Sequence, residues 1–162
     1  MVKLDKIISG GQTGVDQAAL WVGLELGIEI GGWCPPGRIC ENGRIPASFP
    51  LIETQYERSP DAPDIPRSQR TITNVRNADG TLILKPQGLD NDKGIELTIA
   101  CAQKFNRKFM VIDPFAPDAE MHISKWLAHS ALKILNVAGP SESTYPGIGN
   151  QTCHLLKKVL PS

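Results

Sequence analysis

The chain carries no net charge: 17 Lys and Arg offset 17 Asp and Glu across 162 residues. Readers of a nucleic-acid backbone carry a surplus of basic side chains, so that class of partner is disfavoured. No run approaches the roughly 18 apolar residues of a transmembrane helix. The opening stretch Met1-Val2-Lys3-Leu4-Asp5-Lys6 also lacks the apolar centre of a signal peptide. The expectation is a soluble, cytoplasmic protein with no membrane partner. Cys34, Cys40, Cys101 and Cys153 form no C-x-x-C pair, which reads as free thiols. G-x-G-x-x-G, a P-loop and G-x-S-x-G are missing too, so a dinucleotide cofactor of the usual kind, a Walker-type nucleotide site and a nucleophile elbow are not signalled. His122 and His129 have no cysteine or carboxylate at zinc-finger spacing. They read as solvated or packed, and no metal site or catalytic residue is assigned.

What is present suffices for one domain spanning 1–162. Leu, Ile, Val and Phe supply 42 residues, more than the one-fifth or so below which chains tend to disorder. A chain of this length buries about two-thirds of its unfolded surface. Lys6-Ile7-Ile8-Ser9 is a short apolar run stopped by Gly10-Gly11, hence a buried strand. Val15, Ala19, Val22 and Leu26 share one helical face ended by Gly27. A strand over 28–33 follows, then a Pro- and Gly-rich stretch to about residue 66 with little periodicity. Beyond it come a helix near 68–77, a strand at 81–84, a helix from 94 to 105 and a strand at 109–112. A helix from Asp118 to about Ser130, a strand at 135–138 and a helix from 150 to 160 complete the pattern. Strands alternating with helices predict an α/β, Rossmann-like parallel sheet of about five strands with helices on both faces. In such sheets ligands bind at the carboxyl ends of the strands, where the strand order switches.

Three loops fall at that edge. The first, Ser9 to Asp16, is a glycine turn that opens a helix. Gly10, Gly11, Gln12, Thr13, Gly14 and Asp16 are candidate ligand contacts, with an anion expected against the N–H groups of Gly11–Gly14. The plain alternative is a tight turn in which Thr13 or Asp16 serves only the helix end. The second loop, Lys85 to Lys93, leads into Gly94-Ile95-Glu96; Gly94 opens a helix N-terminus, while Asp90 and Asp92 favour a solvated loop. The third brings Gly139, Ser141 and Ser143 to the end of the last strand, as ligand donors or as turn formers. Six of the seven arginines lie between 38 and 76, a window without lysine. Arg67, Arg70 and Asn74 are spaced to share one helix face, which either lines the site or is solvated. Trp33-Cys34-Pro35-Pro36 reads as a proline-stopped strand end.

Taken together, Ser9-Gly10-Gly11-Gln12-Thr13-Gly14-Val15-Asp16, Gly32-Trp33-Cys34-Pro35-Pro36-Gly37-Arg38, Glu41-Asn42-Gly43-Arg44-Ile45-Pro46, Arg70-Thr71-x-x-Asn74-Val75 and Asn136-Val137-Ala138-Gly139-Pro140 resemble the blocks of the putative molybdenum carrier family. The resemblance covers most of residues 7–150. It implies a Rossmann-like fold of the lysine-decarboxylase-like type and a homo-oligomer, dimer or tetramer. It also implies binding of the molybdenum cofactor (molybdopterin), a phosphorylated pterin. Two departures stand out: Ser141 where the family pattern has Arg, and Lys93-Gly94-Ile95 where it has Gly-Gly-Thr. Two functions follow. One is a carrier that holds the phosphorylated pterin without turnover. The other is a hydrolase or sensor of nucleotide-type ligands, similar to the phosphoribohydrolases of the same broad fold. Their Pro-Gly-Gly-x-Gly-Thr-x-x-Glu motif corresponds here to Asp92–Thr98, with Glu96 the nearest carboxylate.

Overall fold

Five parallel strands set the frame. The computed structural model describes residues 3–161; Met1, Val2 and Ser162, the ends of the expected 1–162 domain, lie outside the described residues. Strand β1 (Lys6–Ile8) leads through α1 (Val15–Leu26) to β2 (Glu29–Gly31). An arm follows, with two small β pairs: β3 (Trp33–Cys34) beside β6 (Ile52–Glu53), and β4 (Ile39–Cys40) against β5 (Gly43–Arg44). Then come α2 (Ser68–Asn77), β7 (Gly80–Leu84), α3 (Lys93–Lys104), β8 (Lys108–Ile112), α4 (Ala119–Ser130), β9 (Ile134–Ala138) and α5 (Ile148–Val159). The main sheet runs β2-β1-β9-β7-β8, and every pairing in it is parallel. The Rossmann-like expectation is borne out.

Alternation along the strands builds two cores. Ile7, Leu82, Leu84, Leu135 and Val137 point to one face and pack against α1, α4 and α5. On the other face α2 and α3 close a smaller cluster around Ile72, Val75, Cys101 and Ala102. Parallel strands buried on both faces tend to read as near-continuous apolar runs; β7, fully buried, reads Gly-Thr-Leu-Ile-Leu. Asn136 and Thr81 interrupt the apolar pattern in the middle of the sheet, and there the Asn136 amide donates to the Thr81 hydroxyl at 3.3 Å.

The expected strand over 28–33 divides in two. Gly32 adopts φ +122°, and a Cβ there would lie 2.4 Å from the Ser9 carbonyl oxygen. The chain bends at this residue, so Trp33 leaves the main sheet and starts the arm. The irregular stretch after it is ordered by specific bonds. The Arg38 guanidinium donates to the carbonyls of Leu51, Pro46 and Phe49 at 3.2, 2.9 and 2.8 Å. One cation thereby satisfies three carbonyls of a loop that has no ladder of its own. Phe49 is fully buried and meets Trp21 of α1 edge-on, 4.6 Å between centroids. Among the described residues no helix is long and apolar enough to cross a membrane.

Candidate functional site

The carboxyl ends of β1, β9 and β7, neighbours in the sheet, open into one cavity of about 340 Å³. The lateral order of the strands switches here: β1 leads outward to β2, β7 leads outward to β8 on the other side, and β9 is inserted between them. All three loops singled out in the sequence contribute to its wall. Gln12 and Asp16 come from the first, Gly94 from the second, Gly139 and Ser141 from the third, and Arg67 and Arg70 from α2. Gly10 and Asn74 line a small polar recess next to it, which Asp16 and Arg70 share. Gly11, Thr13, Gly14 and Ser143 line neither space.

The glycine loop is closed upon itself. The Ser9 hydroxyl takes the Gly11 N–H at 3.5 Å, the Asp16 carboxylate takes the Gln12 N–H at 3.2 Å, and the Gln12 side-chain oxygen takes the Thr13 N–H at 3.0 Å. Ile45 and Leu51 of the arm lie where a Cβ on Gly11 would stand, and Pro140 and Glu142 lie where one on Gly14 would stand. Of the four N–H groups expected to face an anion, those of Gly11, Gln12 and Thr13 are thus paired within the loop. The positive φ values, +82° at Gly11 and +77° at Gly14, let chain segments approach one another rather than admit a ligand. Thr13 likewise acts inward, its hydroxyl accepting from the Glu142 N–H at 3.1 Å.

A different helix end faces the cavity. Asp92 caps α3 by accepting the Ile95 N–H at 3.0 Å. The N–H groups of Lys93 and Gly94, the two residues before Ile95 in the same first turn, have no partner among the described residues, and both residues line the cavity. A helix start of this kind carries a partial positive charge. Arg67 stands across from it at the left-handed N-cap of α2, φ +59°, and is exposed.

Arg70 and Asp16 form the floor. Arg70 Nη1 donates to Asp16 Oδ2 at 3.1 Å, with side-chain exposures of 15% and 3%. Arg70 Nε is buried without a partner. Burial pushes the Asp16 carboxyl up from its ordinary range, opposed by the Arg70 charge and by the Gln12 N–H. Burial lowers the guanidinium in turn, opposed by Asp16. Asn74 lies beside Arg70 in the recess and also clamps the arm: its Oδ1 accepts the Trp33 N–H at 2.9 Å and its amide donates to the Trp33 carbonyl at 3.0 Å.

The rim carries a latch that the loop-by-loop reading missed. Glu41, from the arm, accepts from the Ser143 N–H at 3.2 Å and the Ser143 hydroxyl at 2.9 Å. The Glu41 N–H donates to the Gln12 side chain at 2.8 Å, on the cavity floor. Partial desolvation works upward on this carboxyl, but the Ser141 and Ser143 hydroxyls, the Ser143 N–H and the Thr13 hydroxyl hold it below its usual range. Ile65, Pro66, Thr98 and Thr144 also line the cavity. Glu96 faces solvent.

The model of the circularly permutated YpsA SLOG family matches residues 7–160. The chain belongs to this family. A 1.45 Å crystal structure of a putative molybdenum carrier protein from Syntrophus aciditrophicus SB is similar to it at 36% identity with a TM-score of 0.87, covering 98% of this chain and 96% of that one. No curated protein matches. The likeness read from the sequence motifs is thus borne out, and those motifs acquire places in the family's fold. The Gly-Trp-Cys-Pro-Pro-Gly-Arg block starts the arm, and the Glu-Asn-Gly-Arg block carries its latch.

Proposed function

We propose that this member of the YpsA SLOG family binds a small phosphorylated ligand in the cavity between β1, β9 and β7, and carries it without turnover. The observation that supports this most strongly is the convergence of Arg67, Arg70 and the unpartnered N–H groups of Lys93 and Gly94 on one space of about 340 Å³. Helix dipole, backbone donors and guanidinium groups together suit a phosphate. The ligand's anionic end would rest at the start of α3, with Arg67 above and Lys93 beside it. Gln12, Ser141 and Thr144 would meet its polar body, and Ile65 and Pro66 its flat face. Ser141 leaves one cationic charge fewer than the related pattern, which Arg67 of α2 and Lys93 at the start of α3 supply instead.

The molybdenum cofactor is the cargo that best joins these features to the relative, whose name is that of a molybdenum carrier. Its phosphate suits the α3 end, and a pterin ring offers donors and acceptors to the Ser141 and Thr144 side chains on the same wall. We assign the protein to the cytoplasm and to a homo-oligomer. The alternative, hydrolysis of a nucleotide-type ligand, needs a carboxylate in the cavity. Glu96 does not supply it, while Asp16 is present but engaged with Arg70.

Anaerobic purification followed by mass spectrometry of the released small molecule tests the reading. A phosphorylated pterin is the expected result. Release of free base from nucleoside monophosphates by the purified protein would favour the hydrolase instead.

A further inference from the structure

The main sheet ends in two very different edges. On one side β2 is three residues long and carries the exposed Glu29, paired to Lys6 at 3.5 Å. Short, charged edges resist pairing with other chains. On the other side β8 keeps an unbroken five-residue register with β7, from Gly80 opposite Lys108 to Leu84 opposite Ile112. It contains no proline, glycine or bulge. Its one lysine is turned away, donating from Nζ to the Ser130 carbonyl at 2.6 Å. Phe109, Met110 and Ile112 are only half-buried, and Val111 is 41% exposed.

Strand geometry tells which groups are free. The Ile112 carbonyl accepts from the Lys85 N–H on the β7 side, at 2.8 Å. Backbone groups point alternately to either side of a strand. Lys108, Met110 and Ile112 therefore serve β7, and the N–H and C=O groups of Phe109 and Val111 face outward.

We propose that β8 is a homodimer interface in which two copies of the chain pair antiparallel about a two-fold axis at Met110, joining their sheets into one. That register is self-complementary. Phe109 and Val111 of one copy exchange N–H and C=O bonds with Val111 and Phe109 of the other. An aromatic side chain then lies opposite a β-branched one twice over, a favourable cross-strand pair. Met110 meets Met110 at the axis. One step beyond the strand ends, Arg107 stands opposite Asp113, so unlike charges face each other twice. Asp113 has one oxygen engaged by the Phe115 N–H, and Arg107 already donates from Nη2 to the Arg76 carbonyl at 2.9 Å, so the pair forms through the remaining carboxylate oxygen and guanidinium N–H groups. Continuing the register places the exposed Phe115 near the partner's shallow depression of about 470 Å³, lined by Asn106, Arg107, Phe109 and Trp126. This interface is independent of what fills the cavity, because β8 contributes none of the cavity residues.

The test is sedimentation equilibrium of the full chain at micromolar concentration. The wild type should show twice the 17.6 kDa monomer mass. Val111→Pro removes an outward N–H and no bond to β7, so the protomer should stay folded, with an unchanged far-ultraviolet dichroism spectrum, while the dimer dissociation constant rises by about tenfold or more. Arg107→Glu and Asp113→Arg should each weaken the dimer, and their combination should restore it. A monomeric wild type, an unchanged dissociation constant in Val111→Pro, or failure of the charge-swapped pair to recover the dimer overturns the proposal. So does a dimer broken by Trp21→Glu on the opposite face but indifferent to all β8 variants. Should Val111→Pro fail to fold, the charge swap alone decides.

Discussion

Asp16 and Arg70, 54 positions apart in sequence, meet at 3.1 Å beneath the cavity and tie the start of α1 to α2. Each is a charge removed from water, and each is tolerated because the other is there. The pair is thus both part of the floor and part of the fold.

Removing one partner should show the second role first. Arg70→Ala leaves a buried carboxylate unpaired, an expected loss of about 3–5 kcal/mol in urea unfolding. The pH dependence follows from the sign. Asp16 already has a folded value raised by burial. Without Arg70 it rises further, so the native state holds the proton over a wider interval than the unfolded chain does. Stability of the variant should therefore fall as pH rises through that interval. A variant whose unfolding free energy is flat from acid to neutral pH would show that Asp16 is not desolvated.

Arg67 offers the cleaner probe of binding, since it is exposed and its guanidinium makes no hydrogen bond or ion pair among the described residues. Arg67→Ala should weaken the ligand by about ten- to a hundredfold, equivalent to roughly 1.5–3 kcal/mol for a charge-assisted bond, with little change in stability. Arg58, which pairs with Glu57 and the Pro63 carbonyl away from the cavity, is the control. Calorimetric titration giving equal affinities for Arg67→Ala and Arg58→Ala would remove Arg67 from the site.

Asn74→Ala should act on the arm. It strands the N–H and the carbonyl of Trp33, and burying unsatisfied backbone groups costs about 1–3 kcal/mol each. Urea unfolding should shift accordingly, with hydrogen exchange rising first between residues 33 and 53. A variant with unchanged exchange there would mean that the Arg38 bonds alone hold the arm.

The Glu41 latch should respond to acid. Its carboxyl is held below the ordinary value of 4.5. The contribution is therefore complete above that value and is lost as pH falls through the lowered one. Exchange of the Ser143 amide should accelerate in that acid range in the wild type and already at neutral pH in Glu41→Gln.

Much of this was legible in the sequence, for identifiable reasons. The strand-and-helix order shows through because apolar periodicity is local, and α2 falls at the expected 68–77. The three ligand-edge loops follow from glycine and small residues at strand ends. The fate of the first loop was not legible. Whether a glycine turn receives a phosphate or its own arm depends on Ile45 and Leu51, more than 30 positions away, arriving over Gly11. Asn74 could be placed on the face of Arg67 and Arg70 by spacing, but its partner is a backbone 41 residues distant. Trp126 is half-buried against the larger core, because α4 leans on β8 and α5.

The place of β9 has a further consequence for how the molecule comes into being. It lies between β1 and β7, so two half-sheets, β2 with β1 and β7 with β8, have no direct contact until it arrives. On a growing chain the first strand waits for residue 134 before its second neighbour exists. Closure of that long loop should dominate the folding barrier. The late, central strand makes assembly a single terminal event, and a nascent chain stopped before it presents two open inner edges to whatever surrounds it.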